Sequence, residues 1–308
     1  MILGLSGGVG GARMLAGLQQ AAGAESIACI VNVADDEAIY GLEISPDLDT
    51  VCYHLAHLTD WDRGWGIAGD TFNTMHRLGT LGSDAWFQLG DLDLATHLFR
   101  TTRRRSGDSL SAITAALCRQ LGIRSTILPA TDDPVRTRLV TEMGSIAFQE
   151  WFVRQRAAIP VTAVEYVGAT EAQVLPAALE LLASAERIVI CPSNPFLSID
   201  PMLAMPAFAQ ALEARREAVI VVSPLISGRA VRGPAAELFK WLGIAPSVSA
   251  IADRYAQLAS HLVCDSADAD EASALATRGW NVLSTDTLMR TPERAARLAT
   301  AILDWQLQ

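Results

Sequence analysis

The residues of this sequence best suited to chemistry are the run Ser6-Gly7-Gly8-Val9-Gly10-Gly11 and a set of aspartates downstream, Asp35, Asp36, Asp49 and Asp62. An apolar segment before the glycines, and Leu15, Leu18 and Ala22 at helical spacing after them, predict strand, turn and helix. Such a turn gathers backbone N–H groups at a helix N-terminus, where unpaired donors and the helix dipole favour an anion; a phosphate is the natural guest. Neither of the two commonest glycine motifs is matched. Gly11 is followed by Ala12-Arg13 instead of Lys-Ser/Thr, and Arg13 stands where a dinucleotide fold has its third glycine. A turn needed only for tight strand-to-helix packing is the alternative reading.

The aspartates have competing roles. Asp35 and Asp36 follow the apolar run Ile27–Val33, at the C-terminal end of a second strand, where open α/β sheets bind ligands; solvated loop acids are the bland reading. Asp49 leads into the helically periodic Val51–Leu58. It either caps that helix, contributing about 1 kcal/mol, or serves as a metal or hydroxyl ligand. Asp62 lies in Asp60–Asn73, a stretch with two tryptophans, three glycines and three aspartates that is too irregular for a buried helix or strand. Loops of this kind are functional or mobile, and Trp61 or Trp65 offers either a face for a planar ring or a core anchor. After Leu89-Gly90-Asp91, His97 reads as a packing residue ahead of a catalyst, and Arg100 with Arg103, Arg104 and Arg105 as a solvated basic helix end.

These residues need a frame to hold them. A helix is expected over 109–121 and a strand over 125–128. The β-like runs Ser145–Phe148, Trp151–Val153 and Val161–Val167 predict a small antiparallel insertion at about 137–167. From Val174 onward helices alternate with short apolar strands, Arg187–Cys191 and Ala218–Val222 among them, followed by helices near 249–260, 268–278 and 292–305 and strands near 261–264 and 280–284. That alternation implies an α/β fold, one Rossmann-like domain over 1–308 with a mostly parallel sheet and helices on both faces. Pro192-Ser193-Asn194-Pro195 and the loop Ser223–Pro234 then open on the same edge as the glycine turn.

Composition bounds the rest. Half of the 308 residues are hydrophobic, so a large core is available. A net charge of −10 argues against a broad nucleic-acid surface but leaves room for a locally positive pocket. The five cysteines form no CxxC spacing, and no leader or run of eighteen apolar residues is present; a cytoplasmic protein without membrane or nucleic-acid partners is expected.

Taken in order, Gly7-Gly8-Val9-Gly10-Gly11-Ala12, Tyr40-Gly41-Leu42, Pro46-Asp47-Leu48-Asp49-Thr50, Gly64-Trp65-Gly66, Gly69–Asn73, Leu89-Gly90-Asp91, Ala95-Thr96-His97, Thr131–Thr137, Pro192–Pro195 and Ser227–Val231 resemble the 2-phospho-L-lactate transferase family. The resemblance implies a Rossmann-like transferase of coenzyme F-420 biosynthesis. Such an enzyme moves a phospholactyl, phosphoenolpyruvyl or similar group from its diphosphoguanosine adduct to the ribityl hydroxyl of a deazaflavin precursor. GMP is released and magnesium is the expected cofactor. By motif, Gly7, Gly8, Val9, Gly10 and Gly11 cradle the diphosphate, Asp49 with Thr50 lies on the deazaflavin and metal side, and Ser193, Asn194 and Gly228 lie on the nucleotide side. Asp35 joins the binding set, and Asp62 joins Asp49 as a catalytic carboxylate and metal ligand. Gln88 stands where the family commonly has a basic residue, so that contact is weaker here or comes from another residue such as Arg63. A homodimer is the expected assembly. Two other classes remain: a nucleotide-sugar-binding regulatory protein without chemistry, whose glycine- and serine-rich stretch after Asp-Asp is missing here, and a dinucleotide oxidoreductase, disfavoured by Arg13.

Overall fold

Seven runs of four or five residues form one sheet in a computed structural model that describes residues 1–307. They are β1 (Ile2–Ser6), β2 (Ile27–Val31), β3 (Thr126–Pro129), β4 (Arg187–Ile190), β5 (Val219–Val222), β6 (His261–Asp265) and β7 (Asn281–Thr285). All pairings are parallel, in the order β7-β6-β5-β4-β1-β2-β3. The central strands are apolar except at their ends, Ser6 in β1 and Arg187 in β4, because both faces are covered. Leu3, Leu5, Ala28, Ile30, Ile188 and Val221 point into one core, and Cys29, Val31, Val189, Ile220 and Val222 into the other. The chain moves outward one way from β1 through β2 to β3 and the other way through β4 to β7. The crevice between the C-terminal ends of β1 and β4 is therefore the switch point where such sheets hold ligands.

Helix α1 (Gly8–Ala22) begins inside the glycine run and not after it, with Gly7 as its N-cap. Gly8, Gly10 and Gly11 are thus already in its first turn, and Gly8 takes φ +64°. After β2 come a hairpin (Glu37–Ile39 with Leu42–Ile44), α2 (Pro46–Leu55), α3 (Asn73–Thr80), α4 (Asp91–Arg105) and α5 (Leu110–Gln120). The expected insertion is a three-stranded antiparallel sheet in the order Gly144–Ala147, Arg136–Thr141, Ala163–Val167. Its middle run differs from expectation. Trp151–Val153 belongs to a wide helical turn, Glu150–Arg154, because Trp151 is fully buried against Trp241 and donates its indole N–H to the Ile159 carbonyl, 2.8 Å away. A helical turn is what carries one large ring inward while Phe152 stays partly exposed.

His54 in α2 is buried, with Nδ1 2.8 Å from the Thr50 carbonyl oxygen and its ring 5.4 Å from Trp61. Burial pulls its pKa from 6.5 down to about 4. Between those values the unfolded chain holds the extra proton, so this group's stabilisation is present above pH 6.5 and is lost on acidification, by up to about 3 kcal/mol. Urea unfolding at pH 7 and pH 4.5 is expected to show a larger acid loss in the wild type than in His54→Gln. Equal losses would contradict this assignment.

Candidate functional site

A cavity of about 840 Å³ opens at the switch point. One part of its wall is Gly7, Gly8, Val9 and Gly10, facing Pro192, Ser193 and Asn194 from the loop after β4. The two segments are in close contact. The Gly7 N–H donates to Ser193 Oγ at 3.2 Å, and a Cβ on Gly10 would overlap the Pro192 carbonyl oxygen. Glycine is needed at position 10 for packing against that loop, the alternative reading of the motif. Asn194 Oδ1 accepts from the N–H groups of Phe196 and Leu197, which leaves its Nδ2 buried in the cavity wall without a partner. Gly8 N–H is already engaged: it donates to Asp47 Oδ1 at 2.6 Å, and Asn32 Nδ2 donates to Asp47 Oδ2 at 2.9 Å. Burial, eased by those donors, pushes the Asp47 carboxyl up to about 6. Asp35 stands in the same wall with Oδ1 unpartnered, and burial together with the charges of Asp47 and Asp36 raises it well above the carboxylate range.

The second chemical grouping is built by α2 and α4. Asp49 is not a cap. Ser45 precedes Pro46 at the helix start, the Asp49 N–H donates to the Ser45 carbonyl inside the helix, and its side chain pairs with Arg100. Asp93, His97 and Arg100 are spaced i, i+4 and i+7 on α4, which aims all three at α2. His97 Nδ1 lies 3.6 Å from Asp49 Oδ2, and its Nε2 faces Asp93 Oδ2 at 3.4 Å without an aligned hydrogen bond. Asp49, Asp93 and His97 each offer a ligand atom within 4.8 Å of the others, a set that could hold a metal ion. Asp49 Oδ2 and His97 Nε2 are buried without hydrogen-bond partners, as ligands awaiting a cation would be. Burial works against ionisation of Asp93, but His97 and Tyr53 hold its carboxyl below the usual value.

Thr50 and Gln88 also line the cavity, Gln88 donating to the Ala85 carbonyl at 2.7 Å, and Arg63 lies in the same wall. Three of the expected site residues do not line the cavity: Gly11 is buried in the first turn of α1, where a Cβ would meet Ser6 Oγ and Ser193 Oγ, and Asp62 and Gly228 lie elsewhere. Asp62 is exposed, is not part of the cavity wall, and accepts from Arg232 through its carbonyl. Gly228, with φ +67°, forms the turn of the hairpin Leu225–Ile226/Arg229–Ala230, while the cavity meets the following residues Val231–Ala235. Arg100, read above as part of a solvated helix end, is buried and pairs with Asp49. Asp47, Asp93 and Arg100 are not singled out by the sequence reading, and His97, read as a packing residue, joins the metal-capable cluster. The i, i+4, i+7 spacing on α4 was the available signal, whereas nothing local marks Asp47 as the acceptor for Gly8. Asp70 and Asp91, also acids of this region, cap helices reciprocally: Asp70 accepts from Leu92 and Asp93 N–H groups, Asp91 from those of Asn73 and Thr74.

Fold and cavity define a Rossmann-like α/β protein whose switch-point crevice joins an anion-suited glycine turn to a metal-capable cluster. Residues 2–296 match the family 2-phospho-L-lactate transferase CofD, and the chain belongs to that family. It is 38% identical to a phosphoenolpyruvate transferase of Mycolicibacterium smegmatis, covering 97% of each chain. It is 37% identical to a 2-phospho-L-lactate transferase of Methanosarcina mazei, covering 97% of this chain and 98% of that one. Among solved structures it is similar to BH3568 of Bacillus halodurans, a UPF0052 family member, with a TM-score of 0.62 over 98% of this chain and 99% of that one; at 18% identity this likeness concerns the fold.

Proposed function

We propose that this protein transfers a phosphorylated three-carbon acid from its diphosphoguanosine adduct to the ribityl hydroxyl of 7,8-didemethyl-8-hydroxy-5-deazariboflavin, releasing GMP, in coenzyme F-420 biosynthesis. The observation that carries the reading is the joining, in one cavity, of the glycine turn, the Pro192–Asn194 loop and the Asp49–Asp93–His97 cluster, in a chain of this family. The aromatic wall supports a planar acceptor: Phe148 and Phe152 stack at 5.4 Å, and Trp65 and Phe87 face the same space. In the reaction the ribityl oxygen forms a bond to the phosphorus bearing the acid, and the bond from that phosphorus to the GMP oxygen breaks. Such a displacement needs alignment and charge neutralisation more than a covalent enzyme intermediate. The N–H groups of the first turn of α1 beyond the engaged ones of Gly7 and Gly8, with the free Asn194 Nδ2, support the diphosphate. Asp49 has one unpartnered oxygen, Oδ2, and acts through it either by positioning the ion or by taking the hydroxyl proton. Asp49, Asp93 and His97 would hold a divalent ion, magnesium in this proposal, which would neutralise phosphate charge.

No helix among the described residues is long and apolar enough to cross a membrane; cytoplasmic residence and a homodimer belong to the same proposal. A regulatory nucleotide-sugar binder would have no use for the metal-capable cluster. The test is GMP release from the guanosine adduct, measured with and without the deazaflavin. Release is expected only with the acceptor, to vanish in EDTA and to return with magnesium. Full turnover in EDTA would remove the metal from the account, and no acceptor-dependent GMP would remove the function.

A further inference from the structure

Two arginines line the cavity beside the glycine turn without a carboxylate partner. Arg13, in the second turn of α1, is only 7% exposed. Its guanidinium donates to two backbone carbonyls, those of Met289 at 3.2 Å and of Trp61, and its Nε is buried with no partner. Arg232 comes from the loop after the hairpin Leu225–Ile226/Arg229–Ala230, and it too donates only to carbonyls, those of Asp62 and Arg63, next in sequence to the Trp61 carbonyl that Arg13 binds. Among the described residues neither guanidinium has a carboxylate within ion-pair distance. The two arrive at the same place. A Cβ built on Gly64 would lie 2.7 Å from both Val9 Cγ1 and Arg232 Nη1, so Arg232 reaches to within one side chain of the glycine turn.

The two cations act on each other. Burial first and the charge of Arg232 second pull Arg13 below the ordinary arginine value, while exposed Asp62 opposes them. Like charges held together at a partly desolvated wall are unfavourable until an anion arrives between them. Carbonyl partners fix the guanidinium planes yet leave the charge in place, which suits planar, forked recognition of an oxyanion.

We propose that Arg13 and Arg232 form a two-guanidinium subsite for the carboxylate of the three-carbon acid carried by the donor. This inference rests on the transferase reading above. That donor has two anionic parts, a diphosphate and a carboxylate. The N–H groups at the start of α1 suit the diphosphate, which leaves the carboxylate for the arginines just beyond them. The pair then sets substrate choice, since a donor lacking the carboxylate would leave both cations uncompensated.

Calorimetry tests this without turnover. Phosphoenolpyruvate, ethyl phosphate as a three-carbon acid phosphate stripped of its carboxylate, and GDP are each titrated into the wild type, Arg232→Gln and Arg13→Gln. The wild type is expected to bind phosphoenolpyruvate at least tenfold more tightly than ethyl phosphate. In Arg232→Gln that preference should fall below threefold while GDP affinity stays within threefold of the wild type. Arg13→Gln is expected to do the same, but it also loosens the loops at Trp61 and Met289, so exposed Arg232 is the deciding variant. No preference in the wild type, a preference that survives in Arg232→Gln, or an equal loss for GDP and phosphoenolpyruvate would overturn the subsite. Failure of acceptor-dependent GMP release would instead strike the transferase reading, and the calorimetry stands apart from it.

Discussion

Asp49→Asn is expected to reduce GMP release by roughly 100-fold or more, because asparagine is neutral, a poor base and a weak ligand for a hard cation. The structure adds a second effect that the position in sequence does not reveal. Asp49 pairs with buried Arg100, and removing one member of a buried pair typically costs about 3–5 kcal/mol because the other charge is left uncompensated. A fall in melting temperature is therefore expected in the single variant. Asp49→Asn combined with Arg100→Met removes the stranded charge and is expected to regain most of the lost stability while turnover stays low. The paired measurement is melting temperature and GMP release on both variants at a temperature where each is folded. Turnover that recovers along with stability would show that Asp49 serves only to neutralise Arg100.

Gly10→Val is expected to weaken GDP binding tenfold or more, about 1.4 kcal/mol. The new side chain would meet the Pro192 carbonyl oxygen, which is backbone and has no rotamer to turn aside. The loop after β4 must then move away from α1, taking with it Ser193, whose Oγ accepts from Gly7, and the free Nδ2 of Asn194. Gly10→Ala already introduces the clashing atom, so its loss should approach that of valine. Calorimetry with GDP checks this, and a valine variant with wild-type affinity would mean that the nucleotide does not lie between these two segments.

The fold was legible because its strands are buried on both faces. Runs such as Ile27–Val31 and Val219–Val222 carry no polar interruption, and the helices between them have clear periodicity. The Trp151–Val153 run misled for the same reason in reverse: three large apolar residues look like a strand, and only the tertiary slot for the Trp151 ring makes them helical. In the site, local signals singled out residues that line one cavity. The glycine run, the Asp35 position past β2 and the Pro192–Asn194 loop all reach the cavity by way of strand ends, which parallel topology places together. What escaped depends on contacts between helices far apart in sequence. Arg100 is separated from Asp49 by fifty-one positions, and whether it is solvated or buried is decided by how α4 packs on α2. Asp62 illustrates the converse. Its neighbours Arg63 and Trp65 line the cavity, but the backbone turns between them and Asp62 itself faces out.

The central claim is that this cavity joins a phosphorylated three-carbon acid to a deazaflavin. Its most direct test is mass spectrometry of the deazaflavin after incubation of the purified protein with the guanosine adduct and magnesium, alongside quantitation of GMP. The account expects a deazaflavin phosphodiester bearing the three-carbon acid, formed in equal amount to the GMP. Unmodified deazaflavin after full incubation, or GMP released with no matching diester, would contradict it.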